Sequence, residues 1–147
     1  MKDWNVGIDI CQIKKFDRFN YPEYTHFYHR VFSKEEIEYC HKFSNPHPHF
    51  AGIFAAKEAI FKALQPYYKI PIDRIIINHN EFGAPFVTFN DDYLMDDIQT
   101  KSQEVRVSIS HTRSHSIACA LAFKAGSSQI GDKIIQTISK GINEYEL

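Results

Sequence analysis

Hydrophobic and polar residues alternate at two places, one near the start of the chain and one well beyond its middle. The first segment carries Val6, Ile8 and Ile10 at every second position, with Asp9 between them, and the second, residues 105–110, alternates aliphatic residues with Arg and Ser. A period of two is typical of a half-buried strand. We therefore predict two strands, the first of which places Asp9 on the face opposite its aliphatic residues.

Three further short segments have the composition of strands and are bounded by turn residues. They are residues 75–77, 86–89 and 117–123. The sequence EFGAP at 81–85 predicts a turn between the first two of them. The third follows the turn-like TRSHS and would form a hairpin with the strand at 105–110.

The strongest helical pattern runs over residues 50–65, which are rich in Ala and free of Pro. On a helical wheel Glu58, Lys62 and Gln65 fall within a stripe of about 60°, and most of the remaining circumference is apolar. We predict a mostly buried helix with one narrow polar seam.

Two shorter helices are predicted before it. Residues 13–20 are amphipathic with a basic outer face, and Pro22 cannot continue that helix. Ser33 followed by Lys-Glu-Glu is a capping-box pattern for a second helix that runs to about Phe43.

Length and composition favour a single domain with one core. The chain has 147 residues, of which 44% are hydrophobic. Together the elements predict an α+β fold in which a small antiparallel sheet packs against a long core helix. We divide the chain into a domain at 1–125 and a C-terminal extension at 126–147, where isoleucines at helical spacing predict an amphipathic helix.

Charge, cysteine usage and hydropathy exclude several classes of protein. Lys plus Arg number 17 against 18 Asp plus Glu, so nothing in the net charge of −1 predicts a nucleic-acid partner. The three cysteines are odd in number and form no CxxC pair, which favours reduced thiols over a disulfide framework. No apolar run is long enough for a signal peptide or a membrane span. We expect a cytoplasmic protein that does not enter membranes.

Glu58 is the first candidate for chemistry, because a carboxylate in apolar surroundings needs a compensating partner. One interpretation is an ordinary helical ion pair with Lys62 at the i,i+4 spacing. In the other, Asp9 and Glu58 together hold a hard cation through oxygen ligands and Lys62 faces a phosphate, an arrangement suited to phosphoryl transfer.

The segment SISH at 108–111 offers hydroxyls and an imidazole at a strand end. A Ser-His nucleophile is disfavoured because adjacent strand residues point to opposite faces and no GxSxG turn is present. Hydrogen bonding to a phosphate or nucleotide suits the segment better, beside the alternative of a merely structural histidine.

A cluster of histidines near Cys40 raises the alternative of a metal site. It has no recognised zinc-ligand spacing, and we interpret SNPHPH at 44–49 as a solvated loop. The histidines concerned are His41, His47 and His49.

Three motifs carry a family resemblance. GIDI at 7–10, FAGIFAAKEAIFKAL at 50–64 and VSISHT at 107–112 closely resemble the signature segments of the holo-acyl-carrier-protein synthase group of phosphopantetheinyl transferases. The resemblance spans residues 5 to about 123, and the order and separations of the motifs make it specific. It implies that 1–125 is a phosphopantetheinyl transferase domain.

The resemblance also implies an activity and roles for individual residues. The family transfers 4'-phosphopantetheine from coenzyme A to a serine of an apo acyl carrier protein and releases adenosine 3',5'-bisphosphate. Asp9 and Glu58 would be the Mg²⁺ ligands, and Lys62 would contact the coenzyme A phosphates. His111, with Ser110, would bind the nucleotide end near its 3'-phosphate. Glu58 and Lys62 are thus the candidate catalytic residues. The base that deprotonates the carrier-protein serine could be Glu58 or a metal-bound water.

Partners follow from the same resemblance. Lys14, Lys15 and Arg18 occupy the position of the family's basic surface for the acidic helix of the carrier protein. A chain of one domain would form a homotrimer with its sites at subunit interfaces. The chain departs from the family pattern at two places, with CQIKK after the first motif and QPYYKIP after the long helix. These departures leave open the alternative of a degenerate relative that binds coenzyme A or carrier protein without transferring the phosphopantetheine group. The sequence does not fix the carrier's pathway, fatty-acid synthesis or another.

Overall fold

The structure is a computed structural model that describes residues 4–18, 20–65, 68–90 and 103–124. Its elements combine two antiparallel sheets with four helices and one 3-10 turn. In chain order they are β1 (Trp4–Gln12), α1 (Lys14–Arg18), α2 (Thr25–Val31), α3 (Lys34–Cys40), α4 (His47–Leu64), the 3-10 turn Ile72–Arg74, β2 (Ile75–His79), β3 (Pro85–Phe89), β4 (Gln103–His111) and β5 (His115–Lys124).

The larger sheet has the strand order β1-β5-β4, and β2 pairs with β3 in a second sheet. Both neighbours of β5 run antiparallel to it, and the register aligns Asp9 with Ala118 and Ala118 with Ile109. Helix α4 lies across the inner face of this sheet. The α+β fold predicted from the sequence is confirmed.

Helix α4 crosses the sheet diagonally. Near its first turn the Ser116 hydroxyl of β5 donates to the carbonyl oxygen of Pro48, 3.1 Å away. Near its last turn the Asn5 amide of β1 donates to the carbonyl oxygen of Ala63 at 2.8 Å. The helix therefore begins over β5 and β4 and ends beside β1.

Small residues let the helix and the sheet approach closely. A Cβ atom built on Gly7 would lie 1.9 Å from the carbonyl oxygen of Ala59, so β1 passes against the helix backbone itself. The centre of the sheet contributes alanines to the same contact, and they are fully buried. These alanines are Ala118, Ala120 and Ala122 on β5, facing Ala55, Ala56, Ala59 and Ala63 on α4.

The alternation predicted for β1 is present, but the face with the small and acidic residues is buried and the face with the aliphatic residues is exposed. Gly7 and Cys11 are buried and Asp9 is partly buried, whereas Ile8 and Ile10 are 56% and 62% exposed. The aliphatic side chains are too large to fit between β1 and α4, so the face of the strand with the smaller residues packs against the helix. The strand thus presents a carboxylate to the core side and an apolar row to the outside.

The helix boundaries differ from the predictions at two places. Helix α4 begins at His47, so the interpretation of 44–49 as a solvated loop is wrong for its second half. Pro46 caps the helix and Pro48 lies in its first turn, where a missing N–H costs no helical hydrogen bond. Helix α2, Thr25–Val31, is not predicted by the sequence pattern.

The capping box of α3 is confirmed and continues into a buried ion pair. Ser33 and Glu36 exchange the two hydrogen bonds of the motif. The Glu36 carboxylate also pairs with the Lys57 ammonium at 2.7 Å and accepts from the Ile77 amide at 2.7 Å. Lys57 donates further to the Val31 carbonyl oxygen at 2.6 Å, which joins α4 to α2, α3 and β2.

Two sequence predictions concern membranes and the tail. No helix in the described ranges is long and apolar enough to cross a membrane. The predicted helical extension at 126–147 lies outside the described residues.

The close approach at Gly7 yields a stability prediction. Gly7→Ala places a methyl group into the backbone of α4, which no rotamer change relieves, and we expect a loss of about 3 kcal/mol or more of unfolding free energy. Gly52→Ala is the matched control, because its added Cβ meets the Ile109 side chain at 3.0 Å and Ala favours the helix. Urea unfolding of both variants measures the difference. Equal stabilities would contradict the close contact.

Candidate active site

Two carboxylates approach each other where β1 meets α4. Asp9 lies two residues after Gly7 on the inner face of β1, and Glu58 immediately precedes Ala59 on α4. The pKa of Glu58 is raised, first by burial and then by the negative charge of Asp9, while Lys62 partly offsets both. The site therefore holds two negative charges that repel each other.

Lys62 connects the helix to the strand. Its ammonium donates to Asp9 Oδ1 at 2.8 Å and to the Ile8 carbonyl oxygen at 3.0 Å. The interpretation of Lys62 as an ordinary i,i+4 partner of Glu58 is therefore wrong, because its ion pair spans from α4 to β1. The Lys62 side chain is 46% exposed, so it lies at the open edge of the site.

The three side chains fit a hard divalent cation. Asp9 and Glu58 together carry more negative charge than Lys62 balances, and both are oxygen donors of the kind Mg²⁺ prefers. In the parts of the chain that the structure describes, no cluster of three or more His, Cys, Asp or Glu side chains could form a complete protein cage. Mg²⁺ commonly takes one or two carboxylates and completes its shell with water and phosphate.

A second polar group surrounds a cavity of about 190 Å³ beside the first turn of α4. His49, His79 and His111 line this cavity, and the rings of His49 and His111 lie 6.2 Å apart. Ser110 does not join them, because it alternates with His111 on β4 and lies exposed opposite Ile117 on the outer face. The sequence raises His49 only within the disfavoured alternative of a metal site, and it does not predict His79 as a site residue.

The carboxylates and His111 form separate groups within one chain. Asp9 of β1 and Ile109 of β4 are both aligned with Ala118 of β5, which lies between them, and His111 is two residues further along β4. Two strand spacings and two residues separate the Cα atoms of Asp9 and His111 by about 12 Å. The structure thus brings Asp9, Glu58 and Lys62 together, but it does not bring His111 into contact with them.

The basic residues of α1 line a groove on the surface. Lys14, Lys15 and Arg18 are exposed and border a groove of about 600 Å³, together with Ser114 from the β4–β5 turn and His115 at the start of β5. The sequence pattern does not predict that His115 joins them. An electropositive groove of this kind attracts an acidic partner.

An apolar cavity of about 300 Å³ lies between this groove and the carboxylates. On β1 it begins two residues after Asp9, and on α4 it begins one turn before Glu58. Lys15 borders both the cavity and the basic groove. The residues that line the cavity are Cys11, Lys15, Phe16, Phe27 and Phe54.

Comparison with known proteins gives consistent results. The sequence model of the 4'-phosphopantetheinyl transferase superfamily matches residues 5–122. The holo-[acyl-carrier-protein] synthase of Caldanaerobacter subterraneus subsp. tengcongensis is 33% identical over 118 residues, which cover 80% of this chain and 92% of the relative. That of Caldicellulosiruptor saccharolyticus is 34% identical over 121 residues, covering 82% and 97%.

Solved structures show the same fold. The holo-[acyl-carrier-protein] synthase of Neisseria meningitidis superposes with a TM-score of 0.70 at 26% identity, covering 82% of this chain and 98% of that one. The Helicobacter pylori enzyme, solved in complex with coenzyme A, gives 0.66 at 30% identity, covering 80% and 98%. The chain therefore belongs to the 4'-phosphopantetheinyl transferase superfamily, as its three sequence motifs predict.

Proposed function

We propose that this chain is a magnesium-dependent holo-acyl-carrier-protein synthase. It would transfer 4'-phosphopantetheine from coenzyme A to a serine of an apo carrier protein and release adenosine 3',5'-bisphosphate. The observation that carries the proposal is the convergence of Asp9, Glu58 and Lys62, with the ammonium 2.8 Å from Asp9 and the pKa of Glu58 raised first by burial and then by Asp9. Relatives with this activity in their names support it.

The residues of the site suit phosphoryl transfer. Asp9 and Glu58 would hold the magnesium ion, which supplies positive charge against the pyrophosphate of coenzyme A. Lys62 lies at the exposed edge and can turn its ammonium from Asp9 toward a phosphate oxygen. The serine oxygen forms a bond to the β-phosphorus, and the bond from that phosphorus to the bridging oxygen breaks. Lys62 then stabilises the negative charge on the departing nucleotide.

The proton of the attacking serine needs an acceptor. In the chain without a bound metal, burial and the charge of Asp9 raise the pKa of Glu58, and a bound Mg²⁺ would lower it again. Either the Glu58 carboxylate or a water held by the metal would accept that proton.

Docking of the carrier protein would use the surface beside the site. Lys14, Lys15 and Arg18 are exposed along one groove, which suits the acidic helix of a carrier protein. Lys15 also borders the apolar cavity that contains Phe27 and Phe54, so an apolar side chain of the docked helix could enter there. Charge would attract the carrier, and the cavity would hold it in register.

A ring of three subunits would complete the site. The outer faces of β1 and β5 carry exposed apolar side chains at neighbouring positions, and a second copy of the chain is the occupant we propose for this surface. The distance of about 12 Å within one chain supports a shared site, in which His111 of one subunit faces the carboxylates of its neighbour. The exposed residues are Trp4 (52%), Val6 (45%), Ile8 (56%), Ile10 (62%) and Ile117 (44%).

One assay separates transfer from mere binding. The chain is incubated with coenzyme A, magnesium and apo carrier protein, and intact-mass spectrometry detects the phosphopantetheine increment on the carrier. Calorimetry with coenzyme A runs in parallel. Binding of coenzyme A without any increment would favour the degenerate relative, in which the changed loop after α4 leaves the site unable to react.

Glu58→Gln tests the carboxylate site. The change keeps the side-chain volume and removes the charge that would balance the metal, so we expect transfer to fall by about a hundredfold or more. The melting temperature should stay unchanged or rise slightly at neutral pH. A pKa raised in the folded state means that the ionised carboxylate destabilises the fold above its ordinary pKa, and Gln removes that cost. Near wild-type transfer at the same magnesium concentration would exclude Glu58 as a ligand.

Lys14→Glu combined with Lys15→Glu tests the docking surface. Reversed charge repels an acidic helix without touching the carboxylates, so the KM for the carrier should rise about tenfold or more, while calorimetry finds unchanged affinity for coenzyme A. Lys34→Glu on α3 is the control, because Lys34 is exposed and lies outside the groove. An equal loss of coenzyme A affinity would place Lys14 and Lys15 at the donor site instead.

Mixing of inactive chains tests the shared site. Asp9→Ala and His111→Ala are expected to be inactive alone. When they are refolded together, random mixing in a cyclic assembly rebuilds about a quarter of the interfaces with both residues intact. Activity should therefore return. Mixed oligomers that native mass spectrometry detects but that remain inactive would show that His111 acts within its own chain.

A further inference from the structure

Three histidines from three separate elements converge on one cavity. His49 comes from the first turn of α4, His79 from the end of β2 and His111 from the end of β4. The cavity measures about 190 Å³, enough for a compact polar group. Their sequence positions are far apart, so the fold alone brings them together.

Aromatic rings hold two of these imidazoles by their faces. Phe43 stacks on His49 with ring centroids 3.5 Å apart and planes at 14°. Tyr39 stacks on His79 at 3.9 Å and 5°. The ring nitrogens lie on the edges, and in the described part of the chain none of the imidazoles of His49, His79 and His111 has a hydrogen-bond partner. Fixed rings with unused nitrogens are suited to a ligand.

The titratable groups that face the cavity are Tyr39 from α3, His49 from α4, His79 from β2 and His111 from β4. The turn before β3 and the strand itself contribute uncharged residues, and no described carboxylate, lysine or arginine lines the cavity. Burial and then His111 lower the pKa of His49, and burial and then His49 lower the pKa of His79. Protonation therefore becomes favourable when a negative charge enters.

We propose that His49 and His79 bind a phosphate monoester in this cavity as imidazolium donors, so that the affinity for the phosphopantetheine donor falls as pH rises. The inference rests on the proposed function, because the phosphate concerned is then the 3'-phosphate of coenzyme A, next to His111. A histidine site differs from a lysine or arginine site in that its charge changes close to neutral pH.

The direction of the pH effect follows from linkage. In the free chain the pKa values of His49 and His79 lie below the ordinary 6.5, so both rings are mostly neutral at neutral pH. A bound phosphate dianion raises both pKa values, because it favours the charged rings. Between the free and the bound pKa values, binding takes up protons, and affinity increases as pH falls.

The experiment compares coenzyme A with dephospho-coenzyme A, which lacks the 3'-phosphate. Calorimetry at several pH values between about 6.5 and 8, where the phosphate itself stays mostly dianionic, gives the ratio of the two affinities. We expect a preference of about tenfold or more for coenzyme A near pH 6.5, which declines toward pH 8. Repeating the titration in buffers of different ionisation enthalpy should show proton uptake with coenzyme A and none with dephospho-coenzyme A.

His49→Phe combined with His79→Phe is the decisive variant, since a phenyl ring can still stack on Phe43 or Tyr39 but has no ring nitrogen. Its preference for the 3'-phosphate and its proton uptake should be lost, while its affinity for dephospho-coenzyme A stays unchanged. His26→Asn, an exposed histidine on α2, is the control and should behave as wild type. Thermal unfolding tests whether the double variant is folded.

Failure of this inference and failure of the proposed function give different results. Transfer by the wild type with equal affinities for the two donors, or with a preference that does not change with pH, would overturn the histidine site and leave the transferase standing. A chain that binds neither donor and transfers nothing would overturn both. If the double variant does not fold, proton uptake by the wild type decides the question alone.

Discussion

The contact between Gly7 of β1 and the backbone of α4 at Ala59 is the constraint on which the rest of the site depends. It brings strand and helix so close that a single methyl group on Gly7 would collide with a carbonyl oxygen. Asp9 and Glu58 each lie within two residues of this contact, so their separation is set by backbone packing rather than by flexible side chains. Burial and then the repulsion from Asp9 raise the pKa of Glu58, and the stability of the surrounding core sustains that cost.

The other side of α4 is held by the buried pair of Lys57 and Glu36. Neither side chain is exposed, and the carboxylate also binds amides of Ser33 and Ile77. Breaking such a pair leaves an unpaired buried charge, which typically costs about 3–5 kcal/mol. The same network fixes α3 and β2 against α4, and these elements carry Tyr39 and His79 as well as His49 into one cavity. Helix α4 thus positions the carboxylates on one side and the histidines on the other.

Local patterns in the sequence predict the strands, the capping box at Ser33 and the central helix, because each depends on neighbouring residues. They do not predict which face of β1 is buried, since that depends on the space beneath α4. They also do not predict that Lys57 is buried, because its partner Glu36 lies on another helix. For Lys62 they suggest Glu58, one turn away, as the partner, whereas Lys62 pairs with Asp9. The family motifs predict Asp9 and Glu58 as metal ligands, whereas the convergence of the histidines depends on the tertiary fold.

The register of β1 links the candidate active site to the proposed assembly. Side chains of a strand alternate strictly, so a shift of one residue would turn Ile8 toward α4 and Asp9 outward. Ile8 does not fit where Gly7 and Asp9 now lie, and the register that supplies the carboxylate therefore also exposes Ile8 and Ile10. The same sheet of a neighbouring copy could pack against the exposed apolar side chains of β1 and bury them along their whole length. In the proposed assembly, the strand that forms the candidate metal site would also join the subunits.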